Sequence, residues 1–255
     1  TVPALVGVGL GALVSALVVW SLMRQADAPT DVVRVTITLS ESAPLGMSPL
    51  RKDLAISPGG THIIYSGGGL WSQLYLRPLD QLDAVPLGGV VGTGAFFSAD
   101  GEWVGFVVAP GRLLKKVPII GGTPVDIAAL PDVVRGGSWG ADDEIIVGQA
   151  TAGLFLVSAG GGAPRSLTTP DAERGETGHG WPSRIPDRQA VLFVAEAGEA
   201  VGQLAVLDLE SAAVTRLGLV GTSPHYTHTG HLVYGREDES LWAVPFDRDR
   251  LEVTG

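Results

Sequence analysis

The chain has 255 residues, 17 Lys and Arg against 27 Asp and Glu, a formal net charge of −10, and no cysteine. Its lysines are Lys52, Lys115 and Lys116, and no basic stripe is present to neutralise phosphates, so nucleic acid is not an expected partner. The missing cysteines exclude disulfides, zinc–thiolate sites and thiol chemistry, while 36 glycines and 45% hydrophobic residues describe a folded chain that turns often.

Residues 2–23, VPALVGVGLGALVSALVVWSLM, carry no charge, and Arg24 follows directly. At 1.5 Å per residue a helix of this length reaches about 33 Å, enough to cross a hydrocarbon core of about 30 Å. Trp20 stands near the end, where an amphipathic ring suits the interface. Ala26-Asp27-Ala28 has the small-x-small form of a signal-peptide cleavage site, but the apolar run exceeds a signal peptide's and no charged segment precedes it. The prediction is therefore one transmembrane helix over residues 1–24, a polar linker over 25–31, and a second region over 32–255. VVRVTITL, residues 32–39, alternates apolar and polar residues and reads as a strand, expected to pair with a late repeat.

A turn then recurs. AISPGGTHIIY, FFSADGEWVGF, SWGADDEIIVG, SRIPDRQAVLF and HYTHTGHLVY are centred near residues 59, 100, 142, 187 and 229. Each sets turn residues between apolar runs, and each is trailed by a second alternating segment: QLYLRPLD, LLKKVPIIGGTP, LFLVSAGGGAP, QLAVLDLESAA and LWAVPFDRDR. Short runs rich in Val, Ile and aromatics, bounded by Gly, Pro, Asp and Ser, are strands and not the long 3.6-period pattern of a helical solenoid. Four strands in each repeat of roughly 40–45 residues describe an all-β chain, a β-propeller with about five four-stranded blades near 50–90, 91–131, 132–170, 178–219 and 222–255. Phe96, Phe97, Val104 and Phe106 are predicted blade core, with Asp100 and Gly101 forming the turn. At Asp142-Asp143 and Asp187-Arg188 the turn glycine is lost, so those hairpins need another turn or a non-glycine residue at positive φ. Both ends read as cut, with further chain expected on either side.

Candidate chemistry is sparse. Gly136-Gly137-Ser138-Trp139-Gly140 matches the Gly-x-Ser-x-Gly nucleophile elbow, but an acidic hairpin and a strand follow it where the elbow needs a helix, so Ser138 is read as a strand residue. His225, His228 and His231 lack a neighbouring acidic or cysteine ligand and read as turn and surface histidines. The acidic turns supply too few oxygens for a calcium loop and read as turn formers. No phosphate-binding loop occurs. Neither a metal nor a cofactor is expected, and no catalytic residue is assigned.

TTPDAERGETGHGWP, residues 168–182, is the longest stretch without strand pattern. Arg174, Glu176, His179 and Trp181 make it the candidate interaction loop for a protein or small-molecule ligand, because propeller-face loops carry binding and exposed Trp and Arg are frequent hot spots. The structural alternative has Arg174 and Glu176 tying the loop down and Trp181 filling a gap between blades.

The SPGG and SADG turns, each followed by an apolar strand, resemble the repeats of TolB-type propellers. The order of a span, VRVTITL, LAISPGG, SQLYLRPLDQLDAVPL, LKKVPIIGGTP, GSWGADDEIIV, DAERGETGHGWP and HLVYGREDESLWAVPFD resembles, over nearly the whole chain, the extracytoplasmic C-terminal region of bacterial receptor-like serine/threonine protein kinases. That resemblance implies a single-pass protein of the bacterial inner membrane, its propeller extracytoplasmic and its kinase domain before the span. No kinase signature stands in this sequence, neither His-Arg-Asp nor Asp-Phe-Gly. Two other expectations stay open: the N-terminal gating propeller of a prolyl-oligopeptidase-type peptidase, and a TolB-like periplasmic scaffold.

Overall fold

Apolar runs of four to seven residues, each closed by a turn, fold here into antiparallel sheets of four strands. The computed structural model describes residues 38–39, 43–46, 54–67, 72–108, 112–198 and 201–255. The predicted span 2–23, the linker 25–31 and all but the last two residues of the strand predicted over 32–39 lie outside the described residues. Among the described residues no helix is long and apolar enough to cross a membrane.

The first sheet runs in chain order through β1 (Leu54–Ile56), β2 (His62–Gly67), β3 (Gln73–Pro78) and β4 (Val85–Val91). The second is β5 (Thr93–Phe97), β6 (Trp103–Val108), β7 (Leu113–Pro118) and β8 (Val125–Ala129). The third comprises β9 (Val134–Trp139), β10 (Glu144–Gln149), β11 (Phe155–Ser158) and a two-residue β12 (Arg165–Ser166). The fourth holds β13 (Gly178–Arg184), β14 (Ala190–Glu196), β15 (Gly202–Asp208) and the first part of β16 (Val214–Thr227). β16 leaves that sheet at Gly221 and opens the fifth at Thr222, followed by β17 (His231–Gly235), β18 (Leu241–Asp247) and β19 (Glu252–Val253). A pairing of Gln149 with His179 joins the third sheet to the fourth.

The first strands stand side by side, β1 with β5, β5 with β9, and β9 with β13. The sheets stack through four apolar seams, which is the blade packing of a propeller. The second strands show why. Val191, Leu192, Phe193 and Val194 of β14 are all buried, because a blade between two others needs apolar side chains on both faces; in the first sheet Ile63, Ile64 and Tyr65 of β2 are buried as well, and the Tyr65 hydroxyl donates to the Ala43 carbonyl at 3.0 Å. Phe96, Phe97, Val104 and Phe106 are buried as predicted.

The turns follow the same economy. Ser98 Oγ accepts the Trp103 N–H at 2.9 Å and donates to Asp100, whose Oδ1 accepts the Glu102 N–H at 2.9 Å. The Ser98 hydroxyl above all, with that N–H, holds the Asp100 carboxyl below its ordinary range, as a turn former's should be. Ser57 repeats the pattern on the Thr61 and His62 N–H groups. Gly60, Gly101 and Gly230 sit at positive φ; where glycine is lost, Asp143 and Asp187 take φ 57° instead, a conformation that Asp tolerates better than most residues.

The Phe96 ring lies between Gly105 of its own blade and Gly137 of the next, and a Cβ on either would collide with it. Gly137→Ala is expected to destabilise the fold by about 1–3 kcal/mol through overpacking, read as a lower midpoint of thermal unfolding.

Candidate functional site

The residues between β12 and β13 form a loop built from the chain outward. Asp171 caps a short 3-10 turn, Ala172–Arg174, by accepting the Glu173 N–H at 3.0 Å. Gly175, at φ 73°, closes it by donating to the Ala172 carbonyl at 3.1 Å. Arg174 pairs with Asp171 at 3.1 Å and has 66% of its side chain exposed, so it stands in solvent.

Glu176 turns the other way. Its Oε2 accepts the Asp171 N–H at 2.9 Å and faces His179 Nε2 at 3.1 Å, and its Oε1 receives the guanidinium of Arg216 from β16, with Nε at 3.0 Å. His179 Nδ1 lies 2.7 Å from Thr168 Oγ1, which itself accepts the Leu154 N–H at 2.8 Å. The ionised Glu176 carboxylate can only accept, so Nε2 carries the imidazole proton and donates to it, and Nδ1 then accepts a hydrogen bond from the Thr168 hydroxyl. Burial lowers the pKa of His179 despite the carboxylate beside it, so the ring is neutral. Burial opposes the charge of Glu176, but the Asp171 N–H, His179 and Arg216 outweigh it and hold that carboxyl below its ordinary range.

Thr168, His179 and Glu176 thus stand in the hydroxyl–imidazole–carboxylate order of a hydrolytic triad. Their burial gives them a different task. Thr168 is 8% exposed and His179 1%, and the His179 ring packs on Phe193 at 4.7 Å. The set clamps the loop to three strands and offers no nucleophile to solvent.

Trp181 is 5% exposed, lies at φ 50°, and packs in the seam between the fourth and fifth sheets. The guanidinium of Arg135, from β9, sits 5.7 Å from its ring. Arg135 also approaches Glu196 at 3.7 Å. Glu196 ends β14 with 3% of its side chain exposed, and its Oε1 has no hydrogen-bond partner among the described residues. Burial raises its pKa to about 7 against the opposing pull of Arg135. Gly180 makes room for that oxygen, since a Cβ there would collide with it.

Of the four candidate residues, the structure brings Glu176 and His179 into contact, sets Trp181 in an apolar seam, and leaves Arg174 at the surface. The stretch read as strandless gives way to β13 at Gly178: its glycines pass close under the backbone of β10, and without apolar side chains they carry no alternating pattern. Thr168, Arg135, Glu196 and Arg216 escaped the sequence reading. A lone carboxylate closing the apolar run VLFVAE was the available signal for Glu196; Arg216 gave none, being 40 residues from its partner.

Ser138 faces Ile146 across β9 and β10, and its Oγ accepts the Arg184 N–H at 3.0 Å, stitching the first strand of one blade to that of the next. The histidines of the fifth repeat take separate partners, His225 facing Ser183 at 3.0 Å and His231 facing Thr229 at 3.1 Å.

No protein-family model matches the sequence, and no curated protein matches it. Solved structures do. TolB from Acinetobacter baumannii superposes with a TM-score of 0.60 at 14% identity over 78% of this chain and 52% of that one, so the chain spans about half of that TolB. A chain of a nidogen–laminin complex gives 0.63 at 10% identity over 79% and 77%. A puromycin hydrolase gives 0.56 at 15% identity over 79% of this chain and 36% of that enzyme. At these identities the likeness is one of fold, and together with the stacked four-stranded sheets it shows the chain to be a β-propeller.

Proposed function

We propose that the chain is the extracytoplasmic interaction region of a single-pass bacterial inner-membrane receptor, anchored by residues 2–23 and carried by a serine/threonine protein kinase. Its propeller binds a protein or small ligand at the loop face around residues 168–177. The observation that supports this reading is the clamp beneath that loop: Glu176 is fixed by Arg216 and His179, while Asp171 and Arg174 face solvent on a rigid base. Such preorganisation lowers the ordering cost of binding. The kinase context rests on the order of sequence elements quoted above.

The experiment is a topology test on the full chain. Alkaline phosphatase fused after Gly255 is expected to be active in a bacterial host, with the fusion in the membrane fraction; an inactive fusion, or one found in the soluble fraction, overturns the anchored extracytoplasmic reading. Coding sequence upstream of Thr1 separates the parents. A His-Arg-Asp and Asp-Phe-Gly pair there supports the kinase. The fold likeness to a puromycin hydrolase favours the gating propeller of a peptidase as the second reading, and an elbow serine beyond Gly255 would establish it.

A further inference from the structure

The seam between the third and fourth sheets is filled along its middle and open at one end. Ile146, Leu154, Val191 and Phe193 are fully buried within it, while Leu167 and Leu209 are only partly covered. The opening has a cause in the chain. β12 is two residues long where β4 has seven and β8 five, and the turn before it is Ala159-Gly160-Gly161-Gly162-Ala163-Pro164. Few outer-strand side chains therefore reach this part of the seam. Between the second and third sheets, at the same end, Trp103 and Trp139 occupy the seam with Lys116 over both rings.

What remains is a cleft of about 330 Å³, the size of a small-ligand site. Leu167 and Leu209 are partly exposed on its wall, with Leu156 and Leu207 buried behind them, and the exposed Arg165 and Gln189 line it as well. Its one carboxylate, Glu144, is engaged by Arg184 at 3.5 Å. Among the described residues the Arg165 side chain makes no ion pair or hydrogen bond, so its guanidinium is available there to a guest.

We propose that this cleft binds a small amphipathic carboxylate, a short apolar chain lying against Leu167 and Leu209 with its carboxylate on Arg165. Apolar contact supplies the affinity and the guanidinium selects the charged end, since charge-assisted pairing with a carboxylate suits its forked donors. The proposal goes beyond the receptor reading and does not depend on it, because no residue lining the cleft belongs to the loop 168–177.

The test is a titration of the full chain with sodium hexanoate, followed at the methyl signals of Leu167 and Leu209. Saturable shifts at millimolar concentration are expected, in keeping with the modest affinity of so few atoms. Hexanol should bind about 10-fold more weakly, and Arg165→Glu should weaken hexanoate by about 10-fold or more while leaving hexanol unchanged. Arg165 is exposed, so the variant tests recognition and not folding; Ser166→Trp, also at an exposed position, should block both ligands. Absence of saturable shifts at these methyls overturns the proposal, as does equal hexanoate binding by the native chain and Arg165→Glu.

Discussion

Glu196→Gln is expected to abolish a loss of stability of about 3 kcal/mol that the native protein suffers between pH 4.5 and 7. The carboxyl is buried and its pKa is raised from 4.5 to about 7. Between those values the folded chain holds a proton that the unfolded chain has released, so stability falls as pH rises through the window; above about 7 nothing more is lost. At 1.36 kcal/mol per unit, the whole shift is worth about 3 kcal/mol. The midpoint of thermal unfolding should therefore drop by roughly 6–12 °C more in the native protein than in the variant over this range. His179 works in the opposite sense, since its lowered pKa removes stability as pH falls below 6.5. That contribution is common to both proteins and cancels in their difference. Parallel pH profiles for the two would refute the assignment.

Glu176→Ala should be the most damaging single change in the loop. It strips the partner from Arg216 and from His179 at once, leaving a cation and a ring N–H facing a space without an acceptor. Breaking a buried pair in this way costs about 3–5 kcal/mol, and the partial exposure of Arg216 puts the value near the lower end. The loop should then become open to proteolysis between Asp171 and Thr177, with faster amide exchange there. Arg174→Ala provides the contrast. Its pair with Asp171 is solvent-screened, and the change should stay within about 0.5 kcal/mol. Equal losses from the two variants would show that Glu176 is not the anchor.

How much of this was legible depends on the range over which each interaction acts. The hairpins were readable because a turn is a local matter: Ser98, Asp100 and Gly101 satisfy one another's neighbours within five residues. The loss of glycine at two turns foretold positive φ at a non-glycine residue, and Asp143 and Asp187 supply it. The loop 168–182 was recognisable as an exception to the strand pattern. Its inner half was not, since the direction in which Glu176 points is set by Arg216 from another strand.

Glu196 shows the limit most plainly. In the sequence it is one carboxylate at the end of an apolar strand, the usual place for a residue that meets water. Only the stacking of the third blade on the fourth takes it out of water, with Arg135 beside it and Gly180 beneath.

The sequence by itself therefore determined the blade: strand alternation, turn residues and a repeat of fixed length are short-range properties that each copy satisfies alone. The tertiary structure decided what the seams between blades contain. Burial, pKa and the cleft beside Arg165 arise from residues tens of positions apart, and a side chain acquires them only when a second sheet closes over it and excludes the solvent.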